Sequence, residues 1–242
     1  MPFRLDGECR LKQKLSFKEY EKKIDTQGLF WEKKQQPQKA LEAYNLLMRE
    51  IESTHPKTQQ EKKERNAIIA YLMMRKAGIL LETEKIEDAK SLMRGSVEFA
   101  ERSGKATVIG RAKLGLGVYY GSASEFEEAE NLLEEALETF SGKNDYDNKQ
   151  GAAWCLLNLG GLQLKKSNLN EAKERLEEAI KLLKQIKNWV GVGTAYEMMA
   201  RISKSKNDRT TTKKNLVKAI SFFEKEGMSE KVDLLRNEMK ML

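Results

Sequence analysis

The residues able to form a nucleophile–base pair are few. The chain of 242 residues has one histidine, His55, and two cysteines, Cys9 and Cys155. A thiol nucleophile needs a base within hydrogen-bond reach. Cys155 lies between Trp154 and Leu156 and reads as a small core residue of a helix. His55 precedes Pro56 in a loop and reads as solvated. Three such side chains are also too few for a zinc site or a disulfide framework. Gly115, Gly117 and Gly121 are spaced G-x-G-x-x-x-G. A dinucleotide loop requires G-x-G-x-x-G at a strand-to-helix turn, and no strand pattern precedes these glycines. They fit close helix contacts and groove space instead. No enzymatic activity and no cofactor is expected.

Two charged stretches could also carry chemistry. The acidic run from Glu125 to Glu138 alternates with apolar residues and reads as a solvated helix face. The basic run Lys204, Lys206, Arg209, Lys213, Lys214 and Lys218 spans a turn. It reads as a solvated edge or as a patch for an acidic partner or phosphate. The net charge of +7 is unevenly spread. Residues 104–146 carry 4 Lys/Arg against 8 Asp/Glu, whereas residues 188–242 carry 11 against 7. Basic ends around an acidic waist do not make the continuous positive stripe that nucleic acid calls for.

The elements that must position any site are helical. Hydrophobic residues make up 40% and charged residues 33%, with only 3 prolines. Lys, Glu, Leu and Ala dominate, which is helix-forming composition. No apolar stretch approaches the roughly 18–20 residues of a membrane span. The first residues lack the apolar core of a secretory signal, so a cytoplasmic, reducing setting is expected.

The segments from Ser124 and from Asn168 share one arithmetic. Phe126, Ala129, Leu133 and Ala136 recur as Leu169, Ala172, Leu176 and Ala179. Spacings of three and four put each set on one helical face, and the alanines admit a neighbouring helix closely. Upstream lie the small, apolar runs Leu114–Tyr120 and Leu156–Leu162. The unit is helix, short turn, helix. Ser16 with Glu19, Ser124 with Glu127 and Asn168 with Glu171 have the spacing of a capping box and predict three helix starts.

This pattern resembles the tetratricopeptide repeat. Seven of eight marker positions match at Leu116, Gly117, Tyr120, Phe126, Ala129, Leu133 and Ala136, with Lys113 in place of the usual Trp. The next unit matches at Leu159, Gly160, Ala172, Leu176 and Ala179. Weaker copies extend both ways. The second-helix alanine position falls at Ala40, Ala89, Ala129, Ala172 and Thr212, in steps of 49, 40, 43 and 40 residues. These longer repeats are similar to those of kinesin light chains and spindle-orienting adaptors. The resemblance implies an all-α, right-handed superhelical α-solenoid. Five repeats are expected at about 16–54, 58–103, 105–142, 147–187 and 188–226. A capping helix at 228–242 and a flexible basic arm at 1–15 complete the chain.

In the resembling family, first helices line a concave groove that holds a peptide or helix. Carried over by register, the groove residues are Tyr71 and Met74, then Arg111, Leu114 and Val118. The next repeats add Trp154, Leu157, Asn158, Gly161 and Lys165, then Glu197, Arg201 and Lys204. Asn158 matches the family's ligand-orienting asparagine. Members that clamp a chaperone's terminal carboxylate use fixed cationic and amide positions. Here those hold Asp25, Leu29 and Gly115, and Asp25 would repel a carboxylate. The resemblance therefore implies a noncatalytic scaffold or adaptor, for a protein segment with hydrophobic anchors and acidic residues. Alternatives are an RNA-binding helical-repeat protein and a regulatory subunit of an enzyme complex. The acidic waist and the lack of a repeated base-reading pair argue against RNA.

Overall fold

The structure is a computed structural model and describes residues 16–242. The arm at 1–15 lies outside the described residues. Eleven α-helices and no strands occur among the described residues. They fall into two compact units, one ending at Lys105 and the other running from Ala106 to Leu242.

In the first unit, α1 (Phe17–Lys33) pairs with α2 (Pro37–Glu52), and α3 (Gln59–Glu82) with α4 (Ile86–Ser103). Tyr44 is fully buried against Gly28, where a Cβ would stand 1.8 Å from the ring. Its hydroxyl donates to Glu32 Oε1 at 2.5 Å, and Arg75 pairs with the same carboxylate. This knot ties α1, α2 and α3 together. Burial, then the Glu32 hydrogen bond, holds the Tyr44 hydroxyl above its ordinary pKa.

The second unit holds α5 (Ala106–Ser122) with α6 (Phe126–Ser141), and α7 (Tyr146–Lys165) with α8 (Leu169–Gln185). The third pair is α9 (Trp189–Ser205) with α10 (Arg209–Lys225), and α11 (Ser229–Lys240) packs on α10. Each pair is joined by a three-residue turn, which leaves only an antiparallel arrangement. The first helices also touch one another, α5 with α7 and α7 with α9. Ala129, Ala136, Ala172, Ala179 and Ala219 are all fully buried where the partner helix comes close. Thr212 takes the alanine position in the last pair. Its hydroxyl donates to the Asp208 carbonyl at 2.7 Å and lies 3.1 Å from Ser203 Oγ.

The turns correct the capping expectation. Gln35, Glu84, Ser124, Ser167, Lys187, Asn207 and Gly227 are left-handed, with φ between 54 and 70°. The next N–H reaches back five residues, as from Asn168 to the Gln163 carbonyl at 2.8 Å. Each turn thus closes the preceding helix as a Schellman motif, and the residue that closes it starts the next helix. Ser124 is spent as the left-handed residue, one position too early to cap α6, whose N-cap is Glu125. Asn168 is the N-cap of α8, but its amide donates to Gln163 Oε1 instead. Ser16 makes no side-chain cap, and the Phe17 N–H is taken by Glu64 of α3 at 2.8 Å. The reciprocal box forms elsewhere, between Thr58 and Glu61. Asp145, Asn188 and Asp208 each cap a helix by accepting a backbone N–H three residues on.

Candidate functional site

The first helices of the second unit line an open cavity of about 210 Å³. Val118 and Gly121 of α5 face Asn158, Gly161 and Lys165 of α7, and Met198 and Arg201 of α9 close the far side. Leu133 of α6 and Leu162 of α7 contribute apolar lining. The space exists because side chains are missing. A Cβ at Gly161 would meet only Met198 Cε, at 3.5 Å, and one at Gly121 would find nothing nearer than 3.7 Å. These are ordinary contacts, so packing does not demand glycine at either position. Gly117 and Gly160 are different. A Cβ there would come within 2.9 Å of Leu133 or Leu176, and glycine is what lets the paired helices approach.

Polar groups stand around this apolar pocket. Asn158 Nδ2 donates to the Trp154 carbonyl one turn back at 2.8 Å, which orients the amide and leaves its Oδ1 for a ligand. Lys165 Nζ donates to the Gly121 carbonyl at 2.8 Å and so bridges the ends of α7 and α5. Arg201 is exposed and pairs with Glu197 at 2.8 Å.

Five of the groove residues named from the sequence therefore line one cavity: Val118, Asn158, Gly161, Lys165 and Arg201. The others lie elsewhere. Leu157 is 1% exposed and belongs to the core, because the rotation that turns Asn158 toward the cavity turns its neighbour inward. Trp154 is half-buried against the core between α7, α8 and α9, and Leu114 packs against the cluster around Phe140 and Cys155. Glu197 is buried between two cations and is no open contact surface. Arg111 pairs with Asp147, and Lys204 with Glu238 at 2.7 Å. Tyr71 and Met74 lie half-buried on α3 of the first unit, where the Tyr71 hydroxyl donates to Asp25. Leu133 and Leu162 read from the sequence as packing residues only, yet they also line the cavity.

Cys155 is fully buried, and desolvation pushes its thiol up to about 12. A thiol held protonated is a poor nucleophile. No group of three His, Cys, Asp or Glu side chains among the described residues could hold a metal ion. No helix among them is long and apolar enough to cross a membrane.

Paired helices joined by short turns, with first helices side by side, define a helical-repeat protein of the α-solenoid class. The tetratricopeptide repeat family profile matches residues 111–140, which span most of α5, its turn and α6. The fold has solved counterparts. BtubC (BKLC) from P. vanneervenii superposes with a TM-score of 0.62 at 16% identity, over 84% of this chain and 80% of that one. The nearly identical TPR-like repeats of a Podosopora anserina protein assigned as a kinesin light chain give 0.60 at 14% identity, over 88% and 98%. A Rap protein complexed with competence and sporulation factor gives 0.59 at 11%, over 93% and 76%. No curated protein matches the sequence. The chain has the fold of these helical-repeat proteins, and its α5–α6 hairpin matches the tetratricopeptide repeat.

Proposed function

We propose that the second unit is a noncatalytic binding module whose α5–α7–α9 face receives a segment of a partner protein. The partner's apolar side chain enters the cavity left by Gly121 and Gly161, and a neighbouring acidic side chain lies toward Arg201. One observation carries this reading. Two glycines that packing does not require leave an apolar pocket beside an amide and two cations. Charge complementarity selects an acidic segment over a basic one. The Asn158 amide can hold a backbone without reading its sequence. The Rap protein solved with competence and sporulation factor supports a ligand-binding use of this fold. An adaptor role in the cytoplasm fits these features.

The test is selection of a random peptide library displayed on phage, followed by calorimetric titration of the winning peptide. Gly161→Leu fills the cavity from an open position and should weaken binding more than tenfold while leaving the helical spectrum unchanged. Equal binding by wild type and Gly161→Leu would place the contact surface elsewhere.

A further inference from the structure

We infer that Arg201 sets the charge preference of the bound segment and that Lys231 of the C-terminal helix, acting through Glu197, keeps that preference in force. The inference rests on the groove reading above and specifies how its cationic side is controlled.

Glu197 lies on α9 and is 7% exposed. Its carboxylate accepts from Arg201 Nη2 at 2.8 Å and from Lys231 Nζ at 2.9 Å. A buried carboxylate is costly unless paired, and a packing role alone would be filled as well by an apolar side chain. Here one anion is shared by two cations, so a net positive charge remains. Arg201, whose side chain is 60% exposed, lines the cavity and has five N–H donors, most of them free for a ligand carboxylate. Without Lys231, Glu197 would neutralise Arg201 alone, and an incoming carboxylate would gain little.

Helix α11 reaches α9 through side chains only. Its backbone packs against α10, where Val232 and Leu235 are buried. Two ion pairs span the gap to α9, Lys231 with Glu197 and Glu238 with Lys204 at 2.7 Å. Lys204 follows Arg201 on the next turn of α9. The seating of α11 and the charge offered to the cavity are therefore coupled. Arg201 is the specificity-determining residue, while Glu197 and Lys231 position and bias it.

The same phage-displayed random library, selected in parallel on wild type, Lys231→Met, Lys231→Arg, Glu197→Gln and Arg201→Ala, tests this. Wild type should enrich Asp or Glu next to an apolar anchor. Lys231→Met keeps the aliphatic stem, so it should retain the anchor and lose the acidic enrichment. The affinity of a wild-type-selected acidic peptide should fall about fivefold to tenfold in that variant. Lys231→Arg should restore both. Glu197→Gln leaves two cations unneutralised and should keep or raise the acidic enrichment, the opposite of what simple destabilisation would produce. Melting curves confirm that each variant is folded. Lys231→Met binding within twofold of wild type, with acidic enrichment intact, overturns the coupling. Arg201→Ala with unchanged preference overturns the inference while leaving the groove standing, provided Gly161→Leu still abolishes binding. If wild type selects no peptide at all, the groove reading falls and the inference with it.

Discussion

Gly160 and Gly161 are adjacent on α7 and opposite in what surrounds them. A Cβ at Gly160 would stand 2.9 Å from Leu176, and one at Gly161 would meet nothing closer than 3.5 Å. Gly160→Ala should therefore overpack the α7–α8 contact and cost about 1–3 kcal/mol. Gly161→Ala should instead stabilise by up to about 1 kcal/mol through helix propensity. Urea unfolding of both variants checks the contrast. Equal effects would mean that the two positions do not divide packing from open space.

The left-handed turn residues give a second test. Lys187 has φ 56° with a side chain exposed to solvent, and Gly227 has φ 70°. A side chain in this region costs roughly 1–2 kcal/mol. Lys187→Gly should raise stability by a few tenths to about 1 kcal/mol, part of the gain being offset by greater freedom in the unfolded chain. Gly227→Ala should lower it by about 1 kcal/mol. Thermal melts of the two variants should move in opposite directions.

Glu64 makes the first unit sensitive to acid. Burial raises its carboxyl pKa, but hydrogen bonds from Lys105 and from the Phe17 N–H outweigh this and hold it below the ordinary value of 4.5. The folded pKa is thus depressed relative to the unfolded one. The stabilisation is complete above about pH 4.5 and is lost as pH falls through the folded value. The seating of α1 should weaken over that window, read as faster amide exchange at Tyr20 and Glu21. Glu64→Gln should flatten the dependence. An unchanged acid limb in the variant would show that Glu64 does not fix the start of α1.

Cys155 should behave as a buried reporter. It is fully buried, with its thiol pushed up to about 12. In a Cys9→Ser background at pH 8, modification by a disulfide reagent should track global unfolding and accelerate with denaturant as stability falls. Fast labelling of the native protein would contradict the packing of Cys155 beneath Phe140 and Ala136.

The fold was legible because its markers are steric. Alanine and leucine at spacings of three and four, with glycine across from leucine, can be satisfied only by close helix pairs, and Ala129, Ala172 and Gly117 do that work in the structure. Helix starts were harder to read. A left-handed residue sits inside each three-residue turn and shifts the boundary by one, which takes Ser124 out of capping range. The groove was only half legible. Gly160 and Gly161 of α7 are the same residue type side by side, and only Leu176 and Met198, from other helices, distinguish them. Charges were the least legible. Lys204 and Glu197 read as groove residues, but their partners, Glu238 and Lys231, lie 34 residues further along. The apolar pattern of 228–242 points to a capping helix, but not to which of its charges meets α9.

The most direct test of the groove is methyl NMR on protein labelled at Met, Leu and Val methyls, titrated with a peptide selected from the library. Met198, Val118 and Leu162, which line the cavity, should shift together with a single affinity. Val217 on α10 and Leu46 on α2, both exposed, should stay in place. Shifts confined to Val217 or Leu46, with Met198 and Val118 unmoved by a peptide that binds, would contradict it.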